Sequence, residues 1–379
     1  MTARSPRLAA VPTLGLIALA GLGLALAGCD DRRDTHVRED RVASVLPLGP
    51  QTALRIETRT ADVRLVPSPD DTVRVLTVKR VQSMSERSVD ALWSQIKVTV
   101  ERTGSDLVLR VREPERGTSR VTVEAGPWRV RRRTEIEITV GVPAGKPVYV
   151  VTERGDVEAH DLRQQSLVLD MYSGDAHVYD LDGGSLTATS TAGDITIQRV
   201  RQAVSVRSTS GDIDAEDVTG PMALRATSGS ITLDRVHGRV SIETSSGDAQ
   251  ADAVVGNVLV STSSGDATVK AQGDSIVIDT SSGDQSIDIL GPSSFLSLRS
   301  ASGEIELQLP DGVGGALDVQ TATGAMNVSS KLEVGTANRN HLTGRLGKGG
   351  GQTFIRSSSG DIRLQASDAA AVAVQGDRP

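Results

Sequence analysis

Aromatic side chains are almost missing from this chain: Phe, Trp and Tyr together make up 2% of its 379 residues. Thick globular cores draw heavily on such side chains, so their scarcity points to a thin, closely stacked core. Cysteine is as scarce, and with Cys29 alone no intrachain disulfide can form. A basic surplus is also lacking where it would matter. Residues 151–379 carry 17 Lys/Arg against 30 Asp/Glu, while residues 30–150 carry 22 against 18. The larger, acidic part therefore has the wrong sign for a nucleic-acid partner. What is plentiful is glycine, at 38 residues, together with Val, Ile, Thr and Ser, a composition that suits stacked β-strands.

The glycines are not scattered. Ser173-Gly174-Asp175 recurs as Ala192-Gly193-Asp194, Ser210-Gly211-Asp212, Ser228-Gly229-Ser230 and Ser246-Gly247-Asp248. It recurs again around Gly265, Gly283, Gly303 and Gly360. From Gly155 to Gly283 the step is 18 or 19 residues, and Gly324 and Gly360 are 36 apart, twice 18. A fixed period of this size marks a stacked repeat array, in which no single repeat closes a core alone. Aligned on the glycine, Leu224, Ile242, Val260 and Ile278 share one column, and Ile213, Ile231, Ala249 and Ala267 another. Polar residues lie between them, so each repeat reads as two half-buried strands joined by Ser-Gly-Asp. A second turn, often with glycine (Gly220, Gly238, Gly256), closes it.

Identical columns in register predict an all-β, parallel β-solenoid of coils of about 18 residues, each about 4.8 Å above the last. A left-handed hexapeptide helix is excluded, because the sixth-residue series from Leu224 gives Ser230 and that from Ile242 gives Asp248. Residues 151–365 form the array, and residues 45–150 are read as a non-identical β region that leads into it and caps its first coil. One short helix is expected near 85–95, where Ser85 caps the apolar positions Val89, Leu92, Trp93 and Ile96. The unit over 354–364 is expected to close the rod, and residues 366–379 read as a disordered tail.

Residues 1–28 read as a secretion signal: Arg4 and Arg7 precede an apolar run over 14–26 that is too short for a stable membrane span. Leu26-Ala27-Gly28-Cys29 resembles a bacterial lipobox, which implies cleavage before Cys29 and lipidation of its sulfur. An ordinary signal peptide with an incidental cysteine is the alternative. Residues 29–44, rich in charge, read as a solvated tether.

The repeating units, best seen in Val240-Ser241-Ile242-Glu243-Thr244-Ser245-Ser246-Gly247-Asp248, follow a strand region ending in Val142-Pro143-Ala144-Gly145. Over residues 45–365 this pattern resembles the bacterial envelope family labelled "putative adhesin", whose function is unknown. The resemblance implies a β-solenoid at the cell envelope and carries over no catalytic residue. Ser230, Glu304 and the irregular 310–350 stretch depart from the family pattern.

Two constellations are candidate sites. Asp175, Asp194, Asp212, Asp248, Asp266 and Asp284 form a column whose carboxylates, stacked about 5 Å apart, repel unless relieved. Ca²⁺ would relieve them, and the column is a candidate cation or interaction edge. The competing and favoured reading has each Asp bonding its own turn's backbone N–H groups. The sequence does not repeat at nine residues, as glycine-rich Ca²⁺ arrays do. The second constellation, Arg129, Arg131, Arg132 and Arg133 beside Trp128, is a candidate anion-binding run or the solvated face of a hairpin. The five histidines show no metal spacing, and a neighbourly pair of His160 and His177 reads as chance. No Gly-x-Ser-x-Gly elbow or Ser/His/Asp set stands out.

These readings converge on a non-enzymatic, lipid-anchored envelope scaffold or adhesin-like protein without cofactor, outside the cytoplasm, with a membrane and an envelope protein or polymer as partners. A ligand- or stress-sensing accessory module is the alternative, and a carbohydrate-active β-helix enzyme the minor one.

Overall fold

One coil from mid-array shows how the pattern becomes shape. Val204, Val206 and Ser208 are buried while Ser205 and Arg207 are exposed, the period of two of a half-buried strand. After Gly211-Asp212 the chain returns with Ile213 and Ala215 inside. There the alternation slips: Glu216 and Asp217 both stay out, and Val218 is the next buried residue. Asp217 takes φ +55°, and this left-handed residue bends the strand without breaking its ladder. Gly220, at φ +142°, closes the coil, and Met222 starts the next one paired with Val204.

Repetition of that coil makes a parallel β-solenoid, as the columns predict. In this computed structural model Val204, Met222, Val240, Val258, Ile276 and Leu296 are successive partners in one parallel, in-register ladder. Residues 36–366 and 372–373 are described, apart from 50–52, 84, 114–122, 126–127, 131–132, 165, 311–312, 330–331 and 348. The core is one continuous cluster of stacked aliphatic columns. Fully burying each Val, Leu or Ile is worth about 1.5–3 kcal/mol, so stability accrues coil by coil.

The turn glycines are fixed by contact. A Cβ at Gly211 would lie 1.8 Å from the Gly193 carbonyl oxygen, and one at Gly229 would lie 2.0 Å from that of Gly211. No side chain fits between backbones that close.

Both ends depart from simple winding. Strands Leu54–Thr58 and Asp62–Pro67 form a full coil, stacked against Pro147–Thr152 and Val157–His160 on one side. Its other side is covered by Asp106–Arg112 and Arg133–Val142. The first coil in sequence is therefore second in space. Glu113 closes its turn by accepting from the Ala61 N–H at 2.9 Å and the Thr58 hydroxyl at 2.8 Å. The expected cap is thus partly solenoid itself.

Beyond it, Thr72–Ser83 pairs antiparallel with both Arg133–Val142 and His36–Pro47. Residues 36–44, expected as solvated tether, are instead strand. Their charges suit an outer edge strand, where Arg38 reaches Asp90 at 3.0 Å. The expected helix spans Glu86–Gln95, with the Ser85 hydroxyl accepting from the Ser88 N–H and with Val89 and Leu92 buried. The Arg38 guanidinium lies 4.4 Å over the Trp93 ring.

At the far end the displacement recurs. Gly351–Ser359 pairs in parallel with Phe295–Ser302 on one side and Gly315–Thr323 on the other. Ile362–Ala366 sits likewise between Ile305–Leu309 and Met326–Ser329. The last Ser-Gly-Asp unit does not close the rod; it fills the slot before the last. The glycine contacts give the same order, Gly303 to Gly360 to Gly324. Outside them, His341–Leu346 pairs antiparallel with Gly315–Thr323 and with Leu332–Asn338. Val372–Ala373, expected in a disordered tail, pairs antiparallel with Met326–Ser329; the remaining tail from 374 lies outside the described residues.

Candidate functional site

The aspartate column is a hydrogen-bonded ladder. The Asp156 carboxylate accepts from the Asp175 N–H at 2.9 Å, Asp175 from Asp194 at 2.9 Å, and Asp194 from Asp212 at 2.9 Å. Asp248 accepts from Asp266 at 2.9 Å and Asp266 from Asp284 at 2.8 Å. Each carboxylate thus bonds the next coil's backbone, which corrects the expectation that it serves its own turn. The reason is stacking: the next coil's amide points down the axis, where the strand ladder is interrupted by the turn. The turn's own glycine N–H goes to a buried Ser or Thr three residues earlier, as from Gly211 to Ser208 at 3.0 Å and from Gly247 to Thr244 at 3.1 Å.

Ser230 breaks the ladder. It receives the Asp212 carboxylate on its N–H at 2.8 Å, but among the described residues no side chain meets the Asp248 amide. At the N-terminal foot, Asp62 accepts from Asp156 at 3.0 Å. Burial pushes its carboxyl above the usual range, against the pull of that bond, and the neighbouring charges of Asp156, Glu137 and Glu135 add to the rise. Among the described residues no group of three or more His, Cys, Asp or Glu is placed to hold a metal ion.

A second feature lies along the bend. Asp161, Asp180, Arg199, Asp217, Arg235 and Ala253 hold left-handed φ values of 51–57° in six consecutive coils. Non-glycine residues occupy this region at a cost of order 1 kcal/mol each, and from Asp180 to Arg235 they alternate in charge. Arg199 bonds both Asp180 oxygens, at 2.6 and 2.9 Å, and Arg235 bonds Asp217 at 2.6 Å and also Glu216 and Asp234. Arg199 and Arg235 hold Asp180 and Asp217 below the ordinary carboxylate range.

Along this bend runs a groove of ≈ 1020 Å³. The left-handed residues line it together with Arg163, Asp182, Arg201, Thr219 and His237, which sit two positions later in successive coils. The groove ends at Val255, where the next coil's register slips and the extra bend residue is lost. Sequence reasoning passed over this site because no glycine marks it. Its signal was a slip in alternation, with buried residues spaced three apart at Ala215/Val218, Leu233/Val236 and Ala251/Val254.

The other expected sites fare differently. The side chains of Arg129, Arg131, Arg132 and Arg133 lie outside the described residues, as does Cys29. His177 is in register with Glu158 and His160 with Tyr179, so the two histidines lie diagonal to each other, and His177 stacks on Tyr179 at 6.1 Å. Among the described residues no helix is long and apolar enough to cross a membrane.

Among solved structures, a putative adhesin from Bacteroides fragilis is similar at 13% identity and a TM-score of 0.33, covering 69% of this chain and all of its own. A putative adhesin from Parabacteroides distasonis is similar at 12% and 0.33, covering 87% of this chain and 97% of its own. A protein from the same species, described as a putative lipid binding protein, is similar at 13% and 0.31, covering 87% and 96%. No curated protein matches the chain. The family model for Toastrack DUF4097 matches residues 51–289 and 255–365, and with nearly the whole solenoid spanned, the chain belongs to that family.

Proposed function

We propose that the protein is a non-enzymatic scaffold of the bacterial cell envelope, anchored through a lipid on Cys29, that holds an extended partner along its bend. The observation that carries this reading is the groove's continuity through six coils, with backbone strain concentrated along it. Asp and Arg alternating from Asp180 to Arg235 at one strand spacing suit an extended chain bearing both charges, such as a protein segment. The aspartate column supports the same reading, because carboxylates tied to backbone amides serve architecture and not proton transfer.

Photo-crosslinking in the native cell tests the groove. A crosslinker at Thr219, in the groove, is expected to capture a protein that one at Ser205, exposed on another face, does not. The same adducts from both positions would count against the proposal. The anchor is tested separately: palmitate labelling is expected to vanish in Cys29→Ala, and unchanged labelling would remove it.

A further inference from the structure

The slot between residues 295–309 and 315–329 is filled from the end of the chain, and each contact that fills it joins separate segments. The Gln352 N–H donates to the Ser294 carbonyl at 3.0 Å, that of Ile305 to Asp361 at 2.9 Å, and that of Ile362 to Ala325 at 2.9 Å. Arg356 bonds both oxygens of Asp318, at 3.2 and 3.3 Å, and Arg363 meets Glu304 at 2.7 Å. Ile355, Ile362 and Leu364 complete the core columns. None of these contacts depends on which molecule the inserted coil comes from.

Only the glycine-rich bridge over residues 347–350 makes the insertion intramolecular. It leaves the outer hairpin at Gly347, φ +52°, and must step back past the coil of residues 315–329. That is two strand spacings, about 10 Å. The passage is tight: a Cβ at Gly349 would lie 2.0 Å from the Gly314 carbonyl oxygen, and one at Gly315 would lie 1.9 Å from that of Gly351.

We propose that this slot is an exchange site for a second copy of the chain, in which residues 351–366 of each molecule fill the slot of the other. The slot selects its occupant. It needs glycine at the turn, since a Cβ at Gly360 would lie 1.9 Å from the Gly303 carbonyl oxygen. It also needs a carboxylate to meet the Ala325 N–H, as Asp361 does at 2.8 Å, and arginines matched to Asp318 and Glu304. A second copy supplies all of these in register. Own and partner coils then compete through effective concentration, which the bridge sets, and a short hinge favours the exchange. The inference is independent of the groove and of the scaffold reading.

Ser302 and Ser359 are direct partners in the ladder and both exposed, so cysteines there report whose coil is inserted and leave Arg356 in place. Two full chains carrying Cys29→Ser, one with Ser302→Cys and the other with Ser359→Cys, are unfolded together, refolded and oxidised. Exchange predicts a covalent heterodimer several-fold above that from a control pair of Ser302→Cys with Arg225→Cys, an exposed residue in a distant coil. Deleting residues 348–349 shortens the return path and is expected to make the heterodimer the main species. A 302–359 yield no higher than the control in the unshortened chains overturns the proposal, however the shortened ones behave.

Discussion

The middle of the array and its two ends use the same coil in opposite ways. Between Gly193 and Gly283 each coil stacks on the one before it in sequence, so spatial order and chain order agree. At the ends one coil is displaced inward: residues 54–67 lie second from the start and residues 351–366 second from the finish. A linear stack frays from its ends, because a terminal coil has one neighbour instead of two. Displacement gives the first and last coils in sequence two neighbours each. The outermost ladders are then covered by antiparallel strands, which blunts the parallel edges that could recruit another rod. The middle closes local contacts, while the ends trade slower, long-range closure for a lock.

The glycine column is the sharpest way to break this comparison. In mid-array, Gly247→Val places a Cβ 2.0 Å from the Gly229 carbonyl oxygen, and the next coil is stacked as closely, since a Cβ at Gly265 would lie 2.1 Å from the Gly247 carbonyl oxygen. Neither backbone can move without breaking a ladder, so we expect a loss above about 4 kcal/mol in urea unfolding. Gly104, in the hairpin at the N-terminal end, has φ +62° but open space around its Cβ. Gly104→Val is expected to cost about 1–3 kcal/mol, from backbone strain alone. Equal losses would mean that close stacking does not distinguish the middle.

A smaller effect is confined to the C-terminal lock. Burial raises the Asp318 carboxyl, but Arg356 and His341 outweigh it and hold the group below the ordinary carboxylate range. A depressed acid contributes stability above its unfolded value, about pH 3.9, and loses it as pH falls through the folded value. Amides over 352–357 and 341–346 should therefore exchange faster in Asp318→Asn than in the wild type at pH 6. The difference should shrink as pH falls below the unfolded value, and a difference that stays constant as the solution is acidified would mean that the carboxylate's charge is not the clasp.

How much of this was legible follows from what repeats. The inward columns, the turn glycines and the Ser85 cap each leave a residue-type signature at a fixed spacing, and the solenoid and its helix could be read from them. Coil order at the ends could not. Parallel, in-register strands of like sequence are interchangeable partners, so nothing in 354–364 says that it belongs before 315–329. The bend was missed for another reason. Asp and Arg in a left-handed conformation look like any exposed pair, and only the three-residue gap between buried neighbours betrays them. The partners of the aspartates were hidden too, because an amide one coil away lies 18 or 19 residues off in sequence.

The broken rung at Ser230 sharpens the middle against itself. Ser230→Asp would place a carboxylate below the unmet Asp248 amide, as Asp212 does for Ser230. A charge-assisted bond of this kind is worth about 1.5–3 kcal/mol before repulsion, and the added charge between Asp212 and Asp248 takes about 1 kcal/mol of it. The expected gain is about 1 kcal/mol in urea unfolding, larger in high salt, where repulsion is screened. A loss would mean that repulsion, not bonding, governs the column.

The smallest effect concerns where the bend stops. Ala253, at φ +52°, is the last left-handed residue of the series, and unlike Arg199 or Arg235 it has no ion pair to offset the strain. Ala253→Gly removes that strain, of order 1 kcal/mol, but gives the unfolded chain more freedom, which takes back about half. A net gain of about 0.5 kcal/mol is expected. Arg199→Gly relieves the same strain yet loses both bonds to Asp180, and should be neutral or destabilising. If both glycine variants stabilise equally, the alternating charges add nothing to the bend and serve only whatever lies in the groove. If only Ala253→Gly stabilises, the ion-pair ladder is what holds the strained strand in shape, and the groove ends where the ladder runs out of charge.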